Sequence, residues 1–294
     1  MLSRKDVRPK QIQTLLEAGF IPISIDYRLC PETTLLNGPM RDVCSALHWA
    51  RHTLSTLPLN RPDIHPDGDR VVAIGWSTGG HLAMTLAWTA PAASLRPPNA
   101  ILAFYCPTDY EDPFWMQPNT PRGAEPAATD DLWQGVRDSP ITAYNPPAST
   151  HALGGWMAPE DARSRICLHM NWKAQTLPVL LNGLKPSKHN HSMPSPWTAE
   201  QVRAISPLAQ IRADTYWTPT FIVHGTHDDL IPWQQTQRTY EALRARGVRA
   251  EIRVVEGGVH LFDVYKGFER DEEAARAVEE GYEFLREVVE MSVN

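Results

Sequence analysis

Three stretches of the 294-residue sequence carry side chains that could together break an acyl bond. The first is Val71-Val72-Ala73-Ile74-Gly75-Trp76-Ser77-Thr78-Gly79-Gly80, an apolar run ending in G-x-S-x-G. The helix-like His81-Leu82-Ala83-Met84-Thr85-Leu86-Ala87-Trp88 follows it. Between a strand and a helix this pentapeptide makes a cramped turn that holds the serine out above the sheet. Gly75 and Gly79 are expected where a Cβ would collide with the neighbouring strand or helix. Ser77 is therefore the candidate nucleophile. The backbone N–H of Thr78, at the helix N-terminus, is the candidate donor to an oxyanion.

A serine hydroxyl needs a base, and this kind of turn implies the chain order Ser, Asp/Glu, His. Both remaining groups are present. After the apolar run Thr220-Phe221-Ile222-Val223 comes His224-Gly225-Thr226-His227-Asp228-Asp229-Leu230-Ile231-Pro232, and later Glu256-Gly257-Gly258-Val259-His260-Leu261-Phe262. Each loop leaves the C-terminal end of a strand, the edge at which reacting groups of open α/β sheets gather. His260 is the candidate general base. Either Asp228 or Asp229 is the candidate acid, the other capping the turn. His224 and His227 could orient that loop, or with Asp228 hold a metal, but two histidines three apart on a loop are a weak metal signature. No metal and no cofactor is expected. His81 reads as a helix residue packing near the site, and His189-Asn190-His191 as solvated.

These loops need a sheet to hold them. Apolar runs bounded by turn formers lie at Phe20 to Tyr27, Val71 to Trp76, Ala100 to Tyr105 and Thr220 to His224, with a more alternating one at Ala250 to Val255. Such runs suit strands covered on both faces. Helical spacing falls between them: Val43, Leu47 and Ala50 within Pro39 to Leu54; Tyr240 and Leu243 within Trp233 to Arg246; Ala275, Val278, Phe284, Leu285 and Val288 within Ala274 to Val289. The fold class expected is α/β, a mostly parallel sheet flanked by helices. Residues 109–206 break the rhythm. They are proline-rich and carry Trp115, Trp133, Trp156, Trp172 and Trp197. Too long for a loop and too aromatic for disorder, they read as a helical lid between core segments 1–108 and 207–294.

A 42% apolar and 21% charged composition is that of an ordinary globular protein. With 28 basic against 34 acidic residues and no Lys/Arg run, nucleic acid is not an expected partner. MLSRKDVRPK lacks the apolar stretch of a signal peptide, and no segment reaches the roughly 18 apolar residues of a membrane span. A cytoplasmic protein without membrane association is the expectation. Cys30, Cys44, Cys106 and Cys167 lack CxxC spacing, so buried free thiols are expected.

Tyr27-Arg28-Leu29-Cys30-Pro31-Glu32, GWSTGG, HGTHDDLIP and GGVHLF together resemble the hormone-sensitive-lipase-like branch of the α/β-hydrolases. More narrowly, LSRKDVRPKQ, DYRLCPE, GWSTGGHLAMTLAW and YCPTDYEDPFW resemble the C-terminal thioesterase domain of fungal non-reducing polyketide synthases that carry a C-methyltransferase. The similarity runs over most of the chain. It implies Ser77 as nucleophile, Asp228 as orienting acid and His260 as general base. One departure stands out: the family's His-Gly-Gly-Gly stretch, which precedes the position matching Met1 or Leu2, and the strand leading into it are not in this sequence. A misplaced start codon, an excised fragment or a decayed gene would each produce this. The expected consequences are missing oxyanion donors and a gap in the sheet between the Phe20 and Val71 strands.

The function expected is hydrolysis of an acyl thioester or ester through an acyl-enzyme. The substrate would be a small-molecule or carrier-bound acyl group received by the aromatic lid, in association with a polyketide synthase. A carboxylesterase for small esters shares every motif. A catalytically silent scaffold that binds a ligand or partner protein would keep the same fold, and a serine peptidase is a more distant reading.

Overall fold

The computed structural model describes residues 4, 7, 9–120, 136, 162–183, 197–264 and 270–291. The chain divides into two compact units.

The unit of Pro9–Ile23, Met40–Asp109 and Ser206–Asn294 holds the sheet. Strands β1 (Ala73–Trp76), β2 (Ile101–Phe104), β3 (Thr220–Gly225) and β4 (Ala250–Val255) lie side by side in chain order, every pair parallel. β2 and β3 are buried at every position, as central strands covered on both faces must be. β4 is buried only at its ends, and its Arg253 is turned out to meet Glu280. The flanking helices are α1 (Pro9–Glu17), α2 (Pro39–His52), α3 (Thr78–Ala92), α7 (Pro207–Arg212), α8 (Trp233–Ala245) and α9 (Glu272–Met291), where α4 to α6 belong to the other unit. α3 packs on β1 and β2, and α9 lays Ala274, Ala277, Val278, Phe284, Leu285 and Val288 across β2, β3 and β4. Met84, Ile101, Ile222 and Leu243, all fully buried, join one core cluster. Each such side chain contributes about 1.5–3 kcal/mol by leaving water.

The Phe20 to Tyr27 run is not a strand. Its Ile21, Ile23 and Ile25 are 40%, 44% and 36% exposed. Apolar alternation makes a strand only where a ladder partner exists, and among the described residues none pairs with this run or with the outer side of β1. The expected gap inside the sheet is thus an edge at β1. The strands at Val71 and Ala100 are also shorter than expected, starting at Ala73 and Ile101.

The other unit comprises Met1–Arg8, Ser24–Pro39 and Tyr110–Ile205. Its described elements are a 3-10 turn at Pro113–Met116 and helices α4 (Ala162–Trp172), α5 (Thr176–Asn182) and α6 (Ala199–Ile205). Asp112 caps the turn by accepting from the Phe114 N–H at 2.9 Å. Arg163, buried on α4, pairs with Glu32 of the DYRLCPE segment, and the Leu35 N–H donates to the Leu180 carbonyl at 2.7 Å. Trp115 is buried. Trp133, Trp156 and the His189-Asn190-His191 triplet lie outside the described residues. Of the four free cysteines only Cys106 is buried; Cys167 is exposed and the other two are intermediate. No helix among the described residues is long and apolar enough to cross a membrane.

Candidate active site

β1 ends at Trp76 and α3 begins at Thr78, so Ser77 alone makes the turn. Its φ of 52° and ψ of −124° lie where L-residues other than glycine are strained. The flanking bonds hold it there: the Ser77 N–H donates to the Phe104 carbonyl at 2.9 Å, and its own carbonyl accepts from the His81 N–H at 3.1 Å. The glycine requirement differs from expectation. A Cβ on Gly75 would sit 2.1 Å from the Gly79 carbonyl oxygen, whereas one on Gly79 would meet nothing within 4 Å. The second position that excludes a side chain is Gly80, whose Cβ would come within 2.9 Å of both Cys106 Cβ and the Gly75 oxygen. Residue 80 faces the end of β2, while residue 79 faces away. As the first helical residue Thr78 has no intrahelical acceptor for its N–H, which lies at the positive end of α3.

The loops after β3 and β4 are fastened to each other. A Cβ on Gly225 would lie 2.1 Å from the Gly258 oxygen, and that oxygen accepts the His227 N–H at 2.9 Å. The Gly257 N–H donates to Thr226 Oγ1 at 2.8 Å. This zipper brings His260, buried to 4% exposure, over Asp228. His260 Nδ1 donates to Asp228 Oδ2 at 2.7 Å, and Nε2 accepts from the Ser77 hydroxyl at 3.0 Å. Three residues from three loops, the farthest pair 183 positions apart, thus form one continuous hydrogen-bonded relay.

Asp228 is fully occupied as an acceptor. Oδ1 takes the Leu230 and Ile231 N–H groups, each at 2.9 Å, and Oδ2 takes His224 Nε2 at 3.1 Å besides His260. Burial alone would push this carboxyl's pKa up. The bonds from His224 and His260 outweigh it and hold the group well below the usual carboxylate range, so it is charged. His224 Nε2 faces only acceptors, Asp228 Oδ2 and the Ile231 carbonyl, each at 3.1 Å, so it carries the proton and Nδ1 accepts from Thr236 Oγ1 at 2.7 Å. Asp229 and His227 are exposed, so neither shares this arrangement. No group of three or more His, Cys, Asp or Glu among the described residues is arranged to hold a metal. His81 lies fully buried in α3.

Two neighbours went unforeseen. The Tyr105 ring stands edge-on to the His260 imidazole, centroids 5.0 Å apart. Asp263, fully buried in the 3-10 turn Phe262–Val264, accepts from Tyr105 Oη at 2.5 Å and from Trp76 Nε1 and Gln11 Nε2 at 2.9 Å each. Burial raises the Asp263 pKa, the hydrogen bonds working against it, and burial followed by the Asp263 charge carries the Tyr105 phenol well above its ordinary value. The available signal was an acid inside the apolar sequence Val259-His260-Leu261-Phe262-Asp263-Val264.

Comparison with known proteins agrees with this architecture. Residues 12–157 match the family described as α/β hydrolase fold, and residues 184–292 match the prolyl oligopeptidase family. The non-reducing polyketide synthase adrD of Penicillium roqueforti is 60% identical over 98% of the chain, and mapC of Penicillium brevicompactum 57% identical over 99%. The chain spans only 12% of the length of either. Among solved structures, an α/β hydrolase superfamily protein from Enterococcus faecalis superposes with a TM-score of 0.64 at 15% identity, covering 97% of this chain and 85% of that one. Carboxyl esterase 2 of Tuber melanosporum gives 0.53 at 18% identity, covering 97% and 72%.

Proposed function

The chain belongs to the α/β-hydrolase superfamily, and from that premise we propose that it cleaves an acyl thioester or ester with Ser77 as nucleophile. His260 Nε2 takes the hydroxyl proton as Ser77 Oγ attacks the carbonyl carbon. Asp228, held ionised, fixes the tautomer that leaves Nε2 free and stabilises the imidazolium that forms. The oxyanion meets the Thr78 N–H and the N-terminus of α3. Collapse of the tetrahedral intermediate breaks the carbon–sulfur or carbon–oxygen bond, and His260 returns its proton to the leaving thiol or alcohol. Water, deprotonated by the same imidazole, then attacks the acyl-enzyme and releases a carboxylic acid and free Ser77.

The observation that most supports this reading is the unbroken relay Ser77 Oγ to His260 Nε2 at 3.0 Å and His260 Nδ1 to Asp228 at 2.7 Å. The relatives support a substrate class. Their names are those of non-reducing polyketide synthases, and this chain matches one segment of each. The reading is release of a polyketide acyl group from a thioester, in association with a polyketide synthase.

Turnover of a short acyl thioester and of the matching p-nitrophenyl ester by the chain and by Ser77→Ala tests this, with fluorophosphonate labelling alongside. Thioester turnover that exceeds ester turnover and disappears with the serine is the expected result. The opposite preference makes the protein a carboxylesterase. An unlabelled Ser77 makes it a silent scaffold.

A further inference from the structure

Asp228 holds the His260 ring at Nδ1, and Nε2 must stay within reach of Ser77 Oγ for the proton to pass. A swing of the imidazole about its Nδ1 bond would carry Nε2 away from Ser77 Oγ. A displacement of about 1 Å can cost roughly a hundredfold in rate. The loop that bears the ring must therefore be held as firmly as the ring.

We propose that Asp263 is the positioning residue for His260, its buried carboxylate clamping the base loop to the nucleophile turn and holding Tyr105 edge-on against the imidazole. Asp263 lies three residues beyond His260, and its side chain reaches back to the residue immediately before Ser77: Oδ2 accepts the Trp76 indole N–H at 2.9 Å. Oδ1 accepts the Tyr105 hydroxyl at 2.5 Å, and that ring, 5.0 Å from the imidazole and 5.7 Å from Phe262, blocks the swing. Tyr105 is itself fixed at the end of β2 by its N–H to the Val223 carbonyl at 2.6 Å. Gln11 Nε2 completes the cradle from α1. Among the described residues the donors to Asp263 are all neutral, and no described cation pairs with this fully buried carboxylate. Its geometry accounts for it, since one planar group with two oxygens meets a strand end, a second strand end and a helix at once.

The inference rests on the serine-hydrolase reading, and the test separates the two. Steady-state turnover of the p-nitrophenyl ester is measured per fluorophosphonate-titrated site for the native chain, Asp263→Ala, Asp263→Asn and Tyr105→Phe. Asp263→Ala should lose about 10- to 100-fold in kcat with KM within about twofold of native. Asp263→Asn should restore kcat to within about threefold, because its amide can donate to Tyr105 Oη while its oxygen accepts from Trp76 and Gln11. Counting titrated sites removes any unfolded fraction, and Tyr105→Phe, expected to lose about 3- to 10-fold in kcat, stands in should Asp263→Ala fail to fold. Native kcat in Asp263→Ala or in Tyr105→Phe, or an Asp263→Asn variant as slow as Asp263→Ala, overturns the clamp and leaves the hydrolase reading intact. Should the native chain neither turn over nor label, the hydrolase reading fails. The ring-proton NMR shifts of His260 in the native chain and Tyr105→Phe then decide the clamp, a change supporting it and identity overturning it.

Discussion

His224 and His260 donate to the same oxygen, Asp228 Oδ2, from 3.1 and 2.7 Å. The strand β3, from whose end the Asp228 loop leaves, therefore also supplies the group that steadies the acid, and the Ile231 carbonyl beside Asp228 keeps the proton on Nε2 of His224. His224→Phe removes one of four donors to a buried carboxylate. It should lower kcat for the p-nitrophenyl ester by about tenfold, the equivalent of one lost charge-assisted hydrogen bond of about 1.5 kcal/mol. His224→Gln, which can still place an N–H where Nε2 was, should recover part of the loss.

The strain at Ser77 can be read apart from chemistry. Glycine adopts a φ of 52° without penalty, alanine does not. Both Ser77→Gly and Ser77→Ala should be inactive, but the glycine variant should resist urea better than the alanine variant by about 1 kcal/mol. Equal midpoints would mean the turn is relaxed.

Neighbouring glycines should respond in opposite directions. Gly80→Ala forces a methyl against Cys106 and the Gly75 oxygen and should destabilise the fold by about 1–3 kcal/mol. Gly79→Ala adds a helix-favouring residue in open space and should stabilise it by about 0.5–1 kcal/mol. Urea unfolding of the two variants checks both signs.

The two buried aspartates should leave opposite marks on stability against pH. Asp228 has a depressed folded pKa, so its contribution is complete above the unfolded aspartate value of about 3.9 and is lost as pH falls below it. Asp263 has a raised folded pKa. The native state holds that proton more tightly, and stability falls as pH rises from about 3.9 through the folded value. Asp263→Asn should therefore melt higher than the native chain at about pH 7, the advantage vanishing near about pH 4, while Asp228→Asn should melt lower at neutral pH. Thermal melts across that range test both.

The three residues of the relay were legible because each lies at a strand end marked by its own glycines: Gly75 before Ser77, Gly225 before Asp228, Gly258 before His260. The choice between Asp228 and Asp229 was not legible in the loop itself. It depends on which carboxylate the fold buries beneath two imidazoles. Asp263 was hidden for a similar reason. Its partners Gln11, Trp76 and Tyr105 are 252, 187 and 158 positions away, and no local pattern encodes such a meeting. Ile21, Ile23 and Ile25 have the alternation of a strand, but strand formation belongs to a pair of segments and one segment's composition cannot supply its partner.

The relay also has an order in time. Ser77 leaves the ribosome long before His260, and at roughly 5–20 residues per second their 183-residue separation is about 10–40 s of synthesis. Through that interval the nucleophile turn has no base. The appearance of activity would mark the moment at which β4, with the loop that follows it, has been added to the sheet.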